Sequence, residues 1–142
     1  MIVVYAYICG DLLHKGHIEH LKNCKALGDK LIIGVLTDAA VMEKKSRPAM
    51  SFDERFDLVR SLKVVDVVVA QDEYSPVKNI AHIQPDILAE SGDHKHIDDK
   101  YLAGMKNMGI RVITLPYYPH HSSSNIKNRI RDKDENQERP KK

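Results

Sequence analysis

Three histidines lie close together near the start of the chain, in the stretch GDLLHKGHIEHLKNC that covers residues 10–24. Imidazole is a common zinc ligand, so a metal site is the first hypothesis. A helix turns by about 100° per residue, so His14 and His20 would point apart even if both were helical. No cysteine pair or second histidine motif completes a tetrahedral set. We therefore predict no metal site built from protein side chains, and we interpret His20 as a surface residue of a helix.

His14 and His17 fit a different chemistry, the binding of phosphate. They follow an apolar run and open an amphipathic stretch, which indicates a turn from a strand into a helix. The start of a helix offers backbone N–H groups and the positive end of the helix dipole. Gly16 lets a bulky phosphate approach the backbone, and two imidazoles can donate hydrogen bonds to oxygens that gain charge during phosphoryl transfer. The three residues together predict a phosphate site.

A run of hydroxyl side chains far along the chain could form a second phosphate site. Ser122, Ser123 and Ser124 stand directly before an apolar-periodic helix, and Lys127 follows them. Serines at a helix start are also ordinary caps, and that interpretation would explain one of the three. If this helix and the first one face the same cleft, the two would suit a triphosphate.

The elements that must position these residues are visible as short apolar runs rich in β-branched residues. The runs are continuous rather than alternating, which indicates strands covered on both faces. Between the runs lie helical patterns, the clearest being a stripe at Phe52, Phe56 and Val59 that starts with a capping box, Ser51 with Glu54. The predicted strands cover residues 2–8, 30–37, 65–70, 86–90 and 111–116.

Alternating strands and helices predict a fold of the α/β class: a single Rossmann-like, doubly wound parallel sheet of about five strands with flanking helices. In such sheets ligands bind beyond the carboxyl ends of the strands, where the strand order reverses. The segment GDLLHKGH follows the first strand and opens the first helix, so it should lie at that edge.

Composition narrows the class of protein. The chain has 142 residues, of which 42% are hydrophobic and 30% charged, as in one globular domain. Its 22 basic and 20 acidic residues nearly cancel, so we predict no nucleic-acid partner. We interpret Cys9 and Cys24 as reduced thiols. The apolar N-terminal run is too short to span a bilayer, and it lacks the cleavage site of a secretory signal. We predict a cytoplasmic protein without membrane insertion, with a domain over residues 1–131 and a charged, disordered tail over 132–142.

Several of these motifs occur in an order that resembles the HxGH nucleotidyltransferases. Within that family they are similar to the small cytidylyltransferases, such as the glycerol-3-phosphate cytidylyltransferases. The matching segments are DLLHKGH, GVLTD at 34–38, ER at 54–55, GD at 92–93 and SSSNI at 122–126. The turn ICGD at 8–11, the segment KKSRPAMSFDER at 44–55 and Tyr117 look more like cytidylyltransferase domains associated with phosphonate biosynthesis. His94 and Lys95 replace the acidic residue and tryptophan usual in the family.

The resemblance implies a reaction and a set of roles. A phosphate or phosphonate oxygen of a small acceptor, 2-hydroxyethylphosphonate-like or glycerol 3-phosphate, would attack the α-phosphorus of CTP and expel pyrophosphate, with Mg²⁺ bridging the triphosphate oxygens. The catalytic residues would be His14, His17 and Lys44, with Lys45 as the alternative to Lys44. The implied nucleotide-binding residues are Ile8, Cys9, Asp11, Gly16, Gly92, Asp93, Ser122, Ser123 and Ser124, and the implied acceptor-binding residues are Asp11, Arg55 and Tyr117.

Alternatives remain for several roles. Asp11 could simply cap the first turn, and Arg55 could form an ion pair on its helix. The donor could be ATP instead of CTP, since adenylyltransferases share the fold and the motif. The chain could also be a nucleotide-binding module without turnover. The family's tendency to dimerise implies a homodimer.

Overall fold

The computed structural model describes residues 1–92 and 98–116, and its strands match the predicted apolar runs. They form one sheet in the order β3-β2-β1-β4-β5, and every neighbouring pair is parallel. The predicted Rossmann-like parallel sheet is therefore confirmed. The strands are β1 (Val3–Ile8), β2 (Lys30–Leu36), β3 (Val67–Gln71), β4 (Ile87–Ser91) and β5 (Arg111–Leu115).

Five helices lie in the described parts of the chain, and their starts follow from local sequence. The predicted capping box is present: the Ser51 hydroxyl accepts from the Glu54 N–H, and the Glu54 carboxylate accepts from the Ser51 N–H. Gly109 follows the last helix with φ +76°, a conformation that favours glycine. The helices are α1 (Lys15–Lys25), α2 (Asp38–Met42), α3 (Phe52–Arg60), α4 (Val77–Ile83) and α5 (Asp99–Asn107).

The helices cover both faces of the sheet, which explains why the strands are apolar on both sides. Leu21 and Cys24 of α1 and Val59 of α3 pack in one buried cluster. Ile80 of α4 and Met105 of α5 pack in a second cluster, together with residues of α2. Alternate residues of β1 enter each cluster, and burial of this apolar surface is the main term that stabilises the fold.

The strand order reverses between β1 and β4. The chain runs outward from β1 through β2 to β3, then crosses back and adds β4 and β5 on the other side of β1. Backbone pairing between β1 and β4 is short, with Val4 opposite Ile87 and Tyr5 opposite Leu88. A crevice at the carboxyl ends of β1 and β4 is where an open sheet of this kind binds its ligand.

Several predictions fall on residues outside the described parts of the chain. They concern Asp93, His94, Lys95, Tyr117, the three serines at 122–124 and the domain boundary after residue 131. Among residues 1–92 and 98–116, no helix has the length and apolar character needed to span a membrane.

Candidate functional site

The turn between β1 and α1 uses two residues with positive φ. Gly10 has φ +77°, and a Cβ on it would lie 3.2 Å from the Cγ2 of Val59 on α3. Leu12 has φ +50°, which is uncommon for a residue with a side chain. These two bends carry the chain from the end of β1 to the start of α1, so that the histidines follow directly at the carboxyl edge of the sheet.

The two histidines cap the helix that they begin. His14 is the N-cap of α1, and its Nδ1 accepts a hydrogen bond from the Gly16 N–H at 3.0 Å. In return, the His14 N–H donates to Nδ1 of His17 at 3.2 Å. This reciprocal pair is a capping box with histidines in the places that serine and glutamate usually take. The two ring centroids lie 4.0 Å apart, so both imidazoles stand together at the start of α1.

The capping box determines where each ring carries its proton. Since Nδ1 of each ring accepts an N–H, a neutral ring must hold its hydrogen on Nε2. Burial, assisted by the nearby His14, His20 and Lys45, lowers the pKa of His17 to about 4, although Asp11 acts in the opposite direction. At neutral pH His17 is therefore uncharged and presents an Nε2–H donor. This is the state that donates to a phosphate oxygen without a proton first being taken up.

Asp11 connects the turn to the loop before α3. Its two carboxylate oxygens accept the backbone N–H groups of Ala49 and Met50, at 2.9 and 3.0 Å. The N–H of Leu12 meets the Sδ of Met50 at 3.5 Å. The carboxylate thus holds residues 49–50 beside the histidine turn, a structural role of the kind that the sequence left open.

The loop that carries the two candidate lysines lies beside the histidines. Lys44 and Lys45 are both exposed and follow the end of α2. The positive charge of Lys45 contributes to the lowered pKa of His17 and also acts on the thiol of Cys9, whose pKa burial raises. The charge of Lys45 thus acts on the histidine turn, and which of Lys44 and Lys45 acts on a ligand stays a prediction.

Arg55 occupies a different position from the one predicted for an acceptor-binding residue. Its side chain has no exposed surface, and its hydrogen bonds join separate elements of the fold. One terminal nitrogen donates to the carbonyl oxygens of Cys9 and Leu36, both at 2.6 Å, and the other donates to Asp38 Oδ1 at 2.6 Å. The Nε donates to the Met50 carbonyl at 3.3 Å. The guanidinium thus connects the carboxyl ends of β1 and β2 to α3. The N–H groups that make these hydrogen bonds point into the protein.

The remaining predicted nucleotide-binding residues of the described parts lie at the same edge. Ile8 ends β1, Cys9 follows it, and Gly16 is buried in the first turn of α1. Gly92 follows β4, the strand next to β1, and its N–H donates to the Leu115 carbonyl at 3.1 Å. These residues and the histidines follow the carboxyl ends of β1 and β4, the two strands at the reversal of strand order. Their direct contact with a nucleotide stays a prediction.

Within residues 1–92 and 98–116, no three histidine, cysteine, aspartate or glutamate side chains form a group that could hold a metal ion. Both oxygens of Asp11, the acidic residue of the turn, already accept backbone N–H groups. Binding of Mg²⁺ together with triphosphate oxygens and water stays a prediction.

A parallel sheet whose strand order reverses beside β1, with helices on both faces, defines the class of doubly wound α/β domains. The chain belongs to the cytidylyltransferase-like family, whose profile matches residues 9–129. This family lies within the HxGH nucleotidyltransferase superfamily that the motifs resemble.

Similar proteins and structures support the same assignment. The bifunctional protein HldE of Blochmanniella pennsylvanica is 38% identical over 125 residues, which are 87% of this chain and 26% of that protein. HldE of Campylobacter jejuni strain RM1221 is 38% identical over 133 residues, 92% of this chain and 28% of the relative. The chain therefore spans about a quarter of these relatives. The lipopolysaccharide core biosynthesis protein from Thermoplasma volcanium superposes with TM-score 0.73 at 33% identity, covering 83% of this chain and 97% of that one.

Proposed function

We propose that this chain transfers a nucleotidyl group from a nucleoside triphosphate to a phosphate or phosphonate oxygen of a small acceptor. The observation that carries the proposal is the reciprocal capping box, which supports two Nε2–H donors at a helix N-terminus. Donors fixed in advance at the place where negative charge develops are the main way that proteins accelerate phosphoryl chemistry. The family assignment points to the same reaction.

The proposed step is a direct displacement. An acceptor oxygen forms a bond to the α-phosphorus, the bond from that phosphorus to the oxygen bridging to the β-phosphate breaks, and pyrophosphate leaves with the electron pair. The acceptor oxygen is anionic at neutral pH, so no general base is needed. His14 and His17 donate to the phosphate oxygens, and Lys45 closes over the triphosphate from its exposed loop. Bound Mg²⁺ would neutralise part of the triphosphate charge.

For the donor we propose ATP ahead of CTP. The similar proteins described above are HldE proteins and a lipopolysaccharide core protein, and none of these three bears the name of a cytidylyltransferase. CTP with a phosphonate acceptor is the second candidate, and it is favoured by Tyr117 and the ICGD turn, which resemble phosphonate-associated members. Asp93, one of the implied nucleotide-binding residues, lies outside the described parts.

For the acceptor we propose a sugar phosphate. The relative from Thermoplasma volcanium acts, by its name, in the synthesis of a lipopolysaccharide core. Such a core contains sugars, and a sugar phosphate carries the anionic oxygen that the proposed displacement needs. The same displacement would serve glycerol 3-phosphate or 2-hydroxyethylphosphonate, which are the acceptors that the sequence motifs suggested.

The test is a pyrophosphate-release screen with ATP and CTP side by side. Each nucleotide is combined with a sugar 1-phosphate panel, glycerol 3-phosphate and 2-hydroxyethylphosphonate, with and without Mg²⁺. We expect turnover with ATP and a sugar phosphate. Turnover only with CTP would favour the second candidate. No pyrophosphate from any pair, together with thermal stabilisation by a nucleotide, would indicate a binding module instead of an enzyme.

A further inference from the structure

A buried carboxylate lies at the reversal of strand order and takes no part in the proposed reaction. Glu90, near the end of β4, has no exposed surface. The hydroxyl of Tyr7, on β1, donates to both carboxylate oxygens at 3.0 Å. The hydroxyl of Tyr101, in the first turn of α5, donates to Oε1 at 2.9 Å. One carboxylate therefore connects three elements.

The hydrogen bonds between Tyr7 and Glu90 lie beyond the end of the backbone pairing between β1 and β4. Backbone pairing joins β1 to β2 over six residue pairs, from Val3 to Ile8, but joins β1 to β4 over only two, ending at Tyr5 and Leu88. Tyr7 and Glu90 lie two residues beyond that last pair. The hydrogen bonds between them thus connect the two strands where the backbone ladder has ended, which is where the ligand crevice of such a sheet opens.

The hydroxyls of Tyr7 and Tyr101 remain hydrogen-bond donors to Glu90 near neutral pH. Burial, with Glu90 as the next cause, raises the pKa of the Tyr7 phenol well above its ordinary value. Burial and Glu90 act in the same direction on the pKa of Tyr101. Both phenols therefore stay protonated and donate to Glu90.

We propose that Glu90 is a positioning residue that fixes the separation of the carboxyl ends of β1 and β4, and thereby the affinity of the crevice for a nucleoside triphosphate. The inference rests on the proposed function, because the crevice is assigned to the nucleotide there. Glu90 acts through Tyr7 and Tyr101 and does not touch the reacting atoms. The residue after Tyr7 is Ile8, and Gly92 follows closely on Glu90, so a change in the cluster reaches the predicted nucleotide-binding residues directly.

Tyr5 supplies a matched control on the same strand and the same face of the sheet. Its buried hydroxyl donates to Gln71 Oε1 and accepts from the Asn79 amide at 3.0 Å. The Tyr5 side chain points across β2 towards β3, whereas the Tyr7 side chain points towards β4. Loss of either hydroxyl removes buried hydrogen bonds, but only loss of the Tyr7 hydroxyl affects the crevice.

The experiment compares Tyr7→Phe, Tyr101→Phe and Glu90→Gln with Tyr5→Phe in the full chain. The measured quantities are the Kd of ATP and CTP by equilibrium titration, kcat, both KM values and the Tm. We expect the Kd and KM of the nucleotide to rise by about fivefold or more in the first three variants, as loss of a buried hydrogen bond can produce. We expect kcat and the acceptor KM to change by less than about twofold. Tyr5→Phe should lower the Tm comparably and leave the nucleotide Kd unchanged.

Two results would overturn the inference. One is an unchanged nucleotide Kd in Tyr7→Phe, a mild variant that should fold even if Glu90→Gln does not. The other is an equal rise of the Kd in Tyr5→Phe, which would show a general effect of destabilisation. A wild-type chain that binds nucleotide without turnover would refute the proposed function while the Kd comparison still tests this inference. A chain that binds no nucleotide would refute both.

Discussion

Arg55→Lys separates the role that the structure gives Arg55 from the one that the sequence suggested. A lysine keeps the charge but replaces a fork of nitrogens by a single atom. Two backbone carbonyls, of Cys9 and Leu36, accept from one guanidinium nitrogen, and Asp38 accepts from the other. A single ammonium group cannot reach both sides, so at least two hydrogen bonds with a charged donor are lost. We therefore expect a loss of stability.

The magnitude follows from those contacts. A hydrogen bond to a charged group contributes about 1.5–3 kcal/mol. We take the lower end, because Asp38 is 33% exposed and water can replace part of its interaction. Two such bonds give about 3 kcal/mol. For a chain of this size, that loss corresponds to a fall in Tm of about 6–12 °C.

The assay is thermal and urea unfolding, with Arg60→Lys as the control. Arg60 lies on the same helix and pairs with Asp57 at 2.8 Å, but both side chains are 66% exposed. An exposed pair contributes little, so the control should lose less than about 0.5 kcal/mol. An Arg55→Lys variant with the Tm of the wild type and a raised KM for the acceptor alone would refute the structural role of Arg55. That result would favour the interpretation of Arg55 as an acceptor-binding residue.

Further predictions concern the histidine site and the sheet. His17→Ala should keep the fold and lower kcat by more than about tenfold, because a donor to the reacting phosphate is lost. A folded variant with the kcat of the wild type would show that His17 does not donate to the reacting phosphate. The stability of the wild type relative to His17→Ala should fall as the pH drops from about 6.5 to about 4, because the unfolded ring takes up a proton near 6.5 and the folded ring only near 4; urea titrations that run parallel at all pH values would contradict this. Lys45→Ala should lower kcat more than Lys44→Ala, and steady-state kinetics showing the reverse order would return the role to Lys44. Gly34→Ala places a Cβ against the Tyr5 hydroxyl and should cost about 1–3 kcal/mol in urea unfolding, whereas Gly104→Ala, which meets nothing within 4 Å, should not destabilise.

The fold was predictable because its signals are local. Each strand is a continuous apolar run that must be covered on both faces, and alternation with helices then leaves few arrangements other than a parallel sheet. The start of α3 was predictable to the residue, because Ser51 and Glu54 bond to each other's backbone within one turn. The turn from β1 into α1 was predictable for the same reason, since His14, Gly16 and His17 follow one another within it, while their contact with a phosphate stays a prediction.

The parts that escaped prediction depend on contacts between distant segments. Arg55 looks like any surface arginine in sequence, and only the fold shows that its guanidinium ends between two strand carbonyls. Glu90 carried a weak signal, an acidic residue in the apolar run DILAE, but its partners are 83 and 11 residues away along the chain.

The histidine turn shows how folding and chemistry can depend on the same hydrogen bonds. A serine in place of His14 would cap the helix equally well, so helix formation alone does not explain an imidazole there. With imidazoles, the capping bonds occupy Nδ1 of both rings and so select the tautomer that carries its proton on Nε2. Burial then keeps His17 uncharged at neutral pH, so its donor is fixed in place before any ligand binds. In the proposed reaction, the cap would therefore supply in advance the orientation and the protonation state that phosphoryl transfer would otherwise have to establish during each turnover.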